Sequence, residues 1–282
     1  MHTQLTCLSV AVLVAVSAGA ASASGLVDGS TFAEDLKDRS AYSAWDGKKD
    51  HAFDLSNVVF SKENSATTYG ALVWGDSVAS YESTGSANVY VENAAGSATG
   101  LGANVINGSD NTFTHGGTIN VNVDGDVNVT AVSRGNGGYG IAIQTMRSNN
   151  DASANPSFTT INADVVRLSA ESDSGYAVGI WAQNNDVDAT NPSKVTINAR
   201  HTYITAKSGK VDPDKAGEYA DIGIVAYSGA QVEINGGLTI DARTAISTRG
   251  NAQIVVNKEG TGSVQVNGDV IFYYDAPTSG TP

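Results

Sequence analysis

The chain has 282 residues, 41% hydrophobic and 16% charged, with a formal net charge of −13. That acidity argues against nucleic acid and anionic membrane surfaces as partners, since both recruit basic patches. The apolar share suffices for a core and excludes general disorder. Valine outnumbers leucine by 30 to 10, and there are 31 glycines, a mixture that suits strands and turns better than packed helices.

Residues 1–23 carry no charged side chain. "LSVAVLVAVSAGAASA" has the length of a signal-peptide core and ends in the small-residue pattern Ala21-Ser22-Ala23. The Lys or Arg that ordinarily precedes such a core is missing. The only cysteine, Cys7, falls inside this leader, so the rest of the chain must be held by its core and hydrogen bonds without disulfides. The predicted product is exported. Residues 24–50 contain "FAEDLKDRSAYSAW", read as a short capping helix or linker ahead of the main domain, 51–275, with 276–282 as a tail.

The main domain reads as strands throughout. A short apolar strand recurs as "GALVW" from Gly70, "GLGAN" from Gly100, "GIAIQ" from Gly140, "GIWAQ" from Gly179 and "GIVAY" from Gly223, with "AISTR" from Ala245 as a degenerate copy. "WGDSVAS" follows the first of these. Asp76 and Ser77 there match the Gly-Asp-Ser block of an esterase family, but the histidine context such a nucleophile needs is absent, which leaves a turn. In "RGNGGYGIAIQT", Gly135, Gly137 and Gly140 fit a dinucleotide fingerprint. A strand follows where a helix should, so the cofactor reading fails.

Those glycines open a repeat instead. The segments from Gly138 and from Gly175 share Gly-Tyr, a strand, Asn-Asn-Asp, Asn-Pro-Ser, Thr-Ile-Asn-Ala and a further strand. The insertions 147–157 and 183–193 share one corner. Asn149, Asn150, Asp151, Asn184, Asn185, Asp186 and Asp188 are the partner-binding candidates there, and Asp151, Asp186 and Asp188 are also candidate calcium ligands. The clearest unit, residues 221–242, divides into three short strands. Asn162, Asn198 and Asn235 end second strands and are expected to form a corner ladder of amides. The predicted fold is all-β: a single-stranded parallel β-helix, a right-handed solenoid of about seven rungs with three short strands each.

With its small-residue leader, Val/Asn/Gly-rich units such as "VEINGGLTIDA" and closing "GSVQVNGDVIFYYDAPTSGT", the chain resembles the passenger region of a bacterial autotransporter, the type V secretion family. The resemblance implies a β-helix at, or released from, the surface of a Gram-negative cell, with an outer-membrane translocator barrel that this sequence does not contain. It makes a non-enzymatic passenger segment, acting in adhesion or self-association on host surfaces or extracellular glycan or protein, the expected function. The alternative is a polysaccharide lyase or hydrolase on the same scaffold, for which Asp164 with Arg167, or Asp241 with Arg243, would supply the chemistry. Trp181, Tyr203 and Tyr227 are aromatics able to stack on sugars. No catalytic residue and no cofactor is expected.

Overall fold

The structure, a computed structural model, describes residues 37–104, 116–147, 155–184, 191–213, 218–258 and 260–273. In chain order the strands are β1 (Ser40–Ala44), β2 (His51–Ala52), β3 (Val58–Lys62), β4 (Thr68–Val73), β5 (Val78–Ser83) and β6 (Ala87–Asn93). Next come β7 (Ala98–Asn104), β8 (Thr118–Val123), β9 (Val127–Ser133), β10 (Gly140–Met146), β11 (Phe158–Ser172) and β12 (Ala177–Gln183). The last five are β13 (Lys194–Ser208), β14 (Asp221–Tyr227), β15 (Gln231–Arg249), β16 (Gln253–Val256) and β17 (Val264–Tyr273). Ser40–Ala44, expected within a capping helix or linker, is thus a wall strand, paired with β4.

All pairings are parallel, and all 17 strands belong to one sheet. Twelve strands take up 333° about one axis, so the wall closes into an all-parallel β-barrel. Closure follows the course of the chain: each strand bonds to strands a full circuit earlier and later. One side of the wall runs β1–β4–β7–β10–β12–β14 and on into the end of β15. A second runs β2–β5–β8–β11–β13–β15–β16. A third runs β3–β6–β9–β11–β13–β15–β17.

This corrects the expected open, right-handed β-helix solenoid of about seven rungs with three separate short strands. The physical reason lies in the corners. The residues read as sharp corners, Asn162, Asn198 and Asn235, lie inside unbroken strands of 15, 15 and 19 residues. The second and third sides therefore merge into one curved wall, bent locally by a bulge between Asn198 and His201 and by Gly236 at φ +94°. The autotransporter passenger resemblance implied such a solenoid and is withdrawn with it. The functions built on that scaffold, the adhesion or self-association passenger and the polysaccharide lyase or hydrolase, fall too.

Alternation in each strand sends one set of side chains inward, and the parallel register stacks them in columns. Leu101, Ile143, Ile180, Ile224 and Ile246 form one. Val121, Ile161, Ile197, Ile234 and Val256 form the second. Val129, Leu168, Ile204, Ile240 and Val266 form the third. Branched side chains suit a pleated wall, and each fully buried one contributes about 1.5–3 kcal/mol.

The first side also bends. Its pairings skip one residue per strand, giving the column Gly70, Gly100, Ala142, Gly179, Gly223 and Ala245. Here the backbone lies against the third side's side chains. A Cβ on Gly100 would come within 2.3 Å of Val129 Cγ1, and one on Gly179 within 2.2 Å of Ile204 Cγ2. The need is for close approach and not for positive φ. The copy read from Gly140 is in fact aligned on Ala142, because a two-residue slip preserves the apolar alternation and leaves no trace in the pattern.

The asparagine amides are hydrogen-bonded along the axis. Asn162 donates to Asn122 (2.5 Å), Asn198 to Asn162 (2.6 Å) and Asn235 to Asn198 (2.8 Å). Asn198→Ala removes two of these bonds from an exposed site and is expected to cost about 1 kcal/mol in urea unfolding.

Near the N-terminal end, Asp46 accepts a hydrogen bond from His51 at 2.6 Å. Burial pushes the Asp46 carboxyl up, but hydrogen bonds from His51 and Lys48 outweigh it and hold it below its ordinary value of 3.8. A depressed folded-state value stabilises above the unfolded value, and that contribution is lost as pH falls through the folded one. The stability gap between wild type and Asp46→Asn is therefore expected to close as denaturation is moved from pH 5 to below pH 3.

Candidate functional site

The sequence-derived positions are distributed around the wall. Asn149, Asn150, Asp151, Asn185, Asp186 and Asp188 lie outside the described residues. Asn184 is fully buried, and its Oδ1 accepts the Ser193 N–H at 2.9 Å, closing the base of the insertion. Among the described residues no three His, Cys, Asp or Glu side chains gather as metal ligands.

Ser77 is buried and its Oγ accepts the Gly47 N–H at 2.9 Å, while Asp76 sits at φ +59° and takes a hydrogen bond from Asn155. That stretch is a tight turn leaving β4. The glycine string is a turn as well: a Cβ on Gly135 would meet the Ala95 carbonyl carbon at 2.3 Å. Asp164 pairs with Arg200, Arg167 with Asp126 and Arg243 with Asp221, each across one circuit. These charges tie neighbouring strands together and do not converge on a cleft.

Two of the three aromatics named above do converge. Besides the main core, a second apolar cluster holds Ile141, Val178, Ile222 and Val225, with Tyr139, Tyr176, Trp181 and Tyr227 packed against it. The rings form a chain. Tyr139 meets Tyr176 edge-on at 5.2 Å between centroids, Tyr139 stacks on Trp181 at 6.1 Å, and Trp181 meets Tyr227 edge-on at 5.9 Å. Tyr139 and Tyr176 are neighbours because Gly140 pairs with Ala177. In the next circuit Ala177 pairs with Asp221, which places Ala220 where a third tyrosine would stand. Beside these rings lies a recess of about 180 Å³, lined by Tyr139, Tyr176, Trp181, Tyr227, Glu218 and Arg249 among others.

Its polar edge is an ion pair. Arg249 Nη2 lies 2.8 Å from Glu218 Oε2, and the Glu218 side chain is only 2% exposed. The guanidinium also covers Tyr227 and Tyr273, at 5.2 and 4.2 Å from the ring centroids. Burial lowers the Arg249 value, but Tyr227, Glu218 and Tyr273 outweigh it and raise it above the ordinary one. Two atoms of this pair are left over: Glu218 Oε1, an acceptor, and Arg249 Nε, a donor, are buried without hydrogen-bond partners. The same is true of side-chain atoms elsewhere in the wall, among them Trp74 Nε1, Thr99 Oγ1 and Ser247 Oγ, so these two atoms do not by themselves distinguish the recess.

Sequence reasoning found Trp181 and Tyr227 but missed the pairing of Glu218 with Arg249. The Gly-Tyr that opens both repeat copies was the available signal for stacked rings. Nothing in the order of the chain relates Glu218 to Arg249, 31 residues on. Comparisons with protein-family models, with curated proteins and with solved structures return no match.

Proposed function

We propose that this chain is a ligand-binding protein whose recess, walled by Tyr139, Tyr176, Trp181 and Tyr227, receives one ring-bearing group of a partner molecule. The observation that carries this reading is the row of aromatic rings that lines the recess. Apolar walls with a few placed polar groups are the usual make-up of a small-molecule site. Binding without turnover fits the polar edge, where a single carboxylate is already paired with an arginine. The apolar leader supports a location outside the cytoplasm.

Ligand-observed NMR with a set of ring-containing fragments tests the site. Hits are expected to compete with one another and to disappear in Trp181→Ala, with the β spectrum of the protein retained. Fragments that bind equally well to Trp181→Ala would remove the recess as the binding site.

A further inference from the structure

We infer that Asn136 is a site of covalent modification: the backbone nitrogen of Gly137 attacks its side-chain amide, and a succinimide forms and opens to aspartate or isoaspartate. The reaction needs a following residue whose nitrogen can swing onto the asparagine side chain. Glycine, with no Cβ in the way and the widest choice of backbone angles, allows this best. Four Asn-Gly pairs occur in the chain, beginning at Asn107, Asn136, Asn235 and Asn267. Asn107 lies outside the described residues. Among the other three the structure selects one.

Space decides first. Asn136 and Gly137 are the central residues of a β-turn closed by the Gly138 N–H, which donates to the Gly135 carbonyl at 3.1 Å. Both are exposed, Gly137 has φ +71°, and nothing lies within 4 Å of where its Cβ would stand. Gly135 and Gly138 are seated against the backbone of Ala95 and Gly96, so the pair between them projects from the wall. The other two pairs lie inside β15 and β17. A Cβ on Gly236 would collide with the Ala199 carbonyl oxygen, and one on Gly268 with that of Ala242. Both backbones are pressed onto the preceding circuit, with no room to turn toward the side chain.

Hydrogen bonding decides next. Asn235 Nδ2 donates to Asn198 Oδ1 at 2.8 Å and to Glu233 Oε1 at 3.2 Å, which holds the leaving amide in the ladder. At Asn136 the restraint falls on the nucleophile instead. The Gly137 N–H donates to Ser174 Oγ, 2.9 Å away on the next circuit. That bond aims the N–H at Ser174 and must open before a base takes the proton. Ser174 is thus a positioning residue that slows the reaction.

The step balances without oxidant or reductant. Hydroxide removes the Gly137 amide proton, and the nitrogen's electron pair forms a bond to Asn136 Cγ. The Cγ–Nδ2 bond breaks, and Nδ2 takes up a proton and leaves as ammonia. Water then opens either carbonyl of the five-membered ring. The product carries a new carboxylate two residues from Arg134, which already pairs with Asp173 at 2.8 Å.

The experiment incubates the full chain in warm, mildly alkaline buffer, with circular dichroism confirming the fold, and follows each Asn-Gly peptide by mass spectrometry after digestion. Asn136 is expected to convert ahead of Asn235 and Asn267. Ser174→Ala is expected to speed conversion of Asn136 about fivefold, the worth of one exposed hydrogen bond, and to leave the other two pairs unchanged. Conversion of Asn235 or Asn267 as fast as Asn136 would overturn the assignment. So would an Asn136 that keeps its amide in the folded chain over a period in which the urea-unfolded chain loses it. A Ser174→Ala protein that converts no faster would overturn the role given to Ser174.

Discussion

Gly179→Val is expected to be among the most destabilising single substitutions in the wall, costing about 3 kcal/mol or more in chemical denaturation. Even an alanine Cβ at this position would fall 2.2 Å from Ile204 Cγ2 and 2.6 Å from the Gly223 carbonyl oxygen. Overpacking a filled interior usually costs about 1–3 kcal/mol, and here one of the two obstacles is backbone that cannot rotate away. Gly179→Ala should fall near the middle of that range. Adding Ile204→Ala to it should recover only part of the loss, because the contact with Gly223 remains. A Gly179→Val protein that unfolds at the wild-type denaturant midpoint would show that the first and third sides are not packed as described.

Arg249→Ala should have an effect of similar size for a different reason. It leaves Glu218, 2% exposed, with neither its partner nor solvent. Stranding one member of a buried pair costs about 3–5 kcal/mol. Because the arginine itself is 35% exposed, water reaching the vacated space reduces the expected loss to roughly 2–4 kcal/mol. Removing both charges should cost less than removing one: Arg249→Ala with Glu218→Gln is expected to be more stable than Arg249→Ala alone. Additive losses in this double-mutant cycle would mean that the two side chains do not form a pair.

Strand content, the unit of repetition and the inward alternation were all legible in the sequence, because a period of two survives any arrangement of parallel strands. Closure of the wall was not. Asn162, Asn198 and Asn235 tolerate both a sharp turn and a gently bent strand, and local sequence does not say which the neighbouring circuits impose. The same degeneracy hid the two-residue slip at Ala142. At the site, Trp181 and Tyr227 stood out by residue type. Glu218 became informative only through Arg249, a partner brought to it by pairing between β14 and β15 and by no spacing rule. Ser77 shows the converse, a motif whose letters are right and whose side chain is buried in a turn.

The spacing of the hydrogen-bonded partners also fixes an order of events. Successive asparagines of the ladder are 40, 36 and 37 residues apart, so a strand emerging from a ribosome or a membrane pore waits for that much more chain before its second edge is covered. Until then it presents open N–H and C=O groups, the exposed edge that invites pairing with the wrong chain. The wall is thus laid down like courses of brick, each new course seated on a finished one. Delivery from the N-terminal end keeps a single course unfinished at any moment, whereas refolding of the whole chain from denaturant exposes many at once. Yield on refolding should accordingly fall with protein concentration much faster than yield on synthesis.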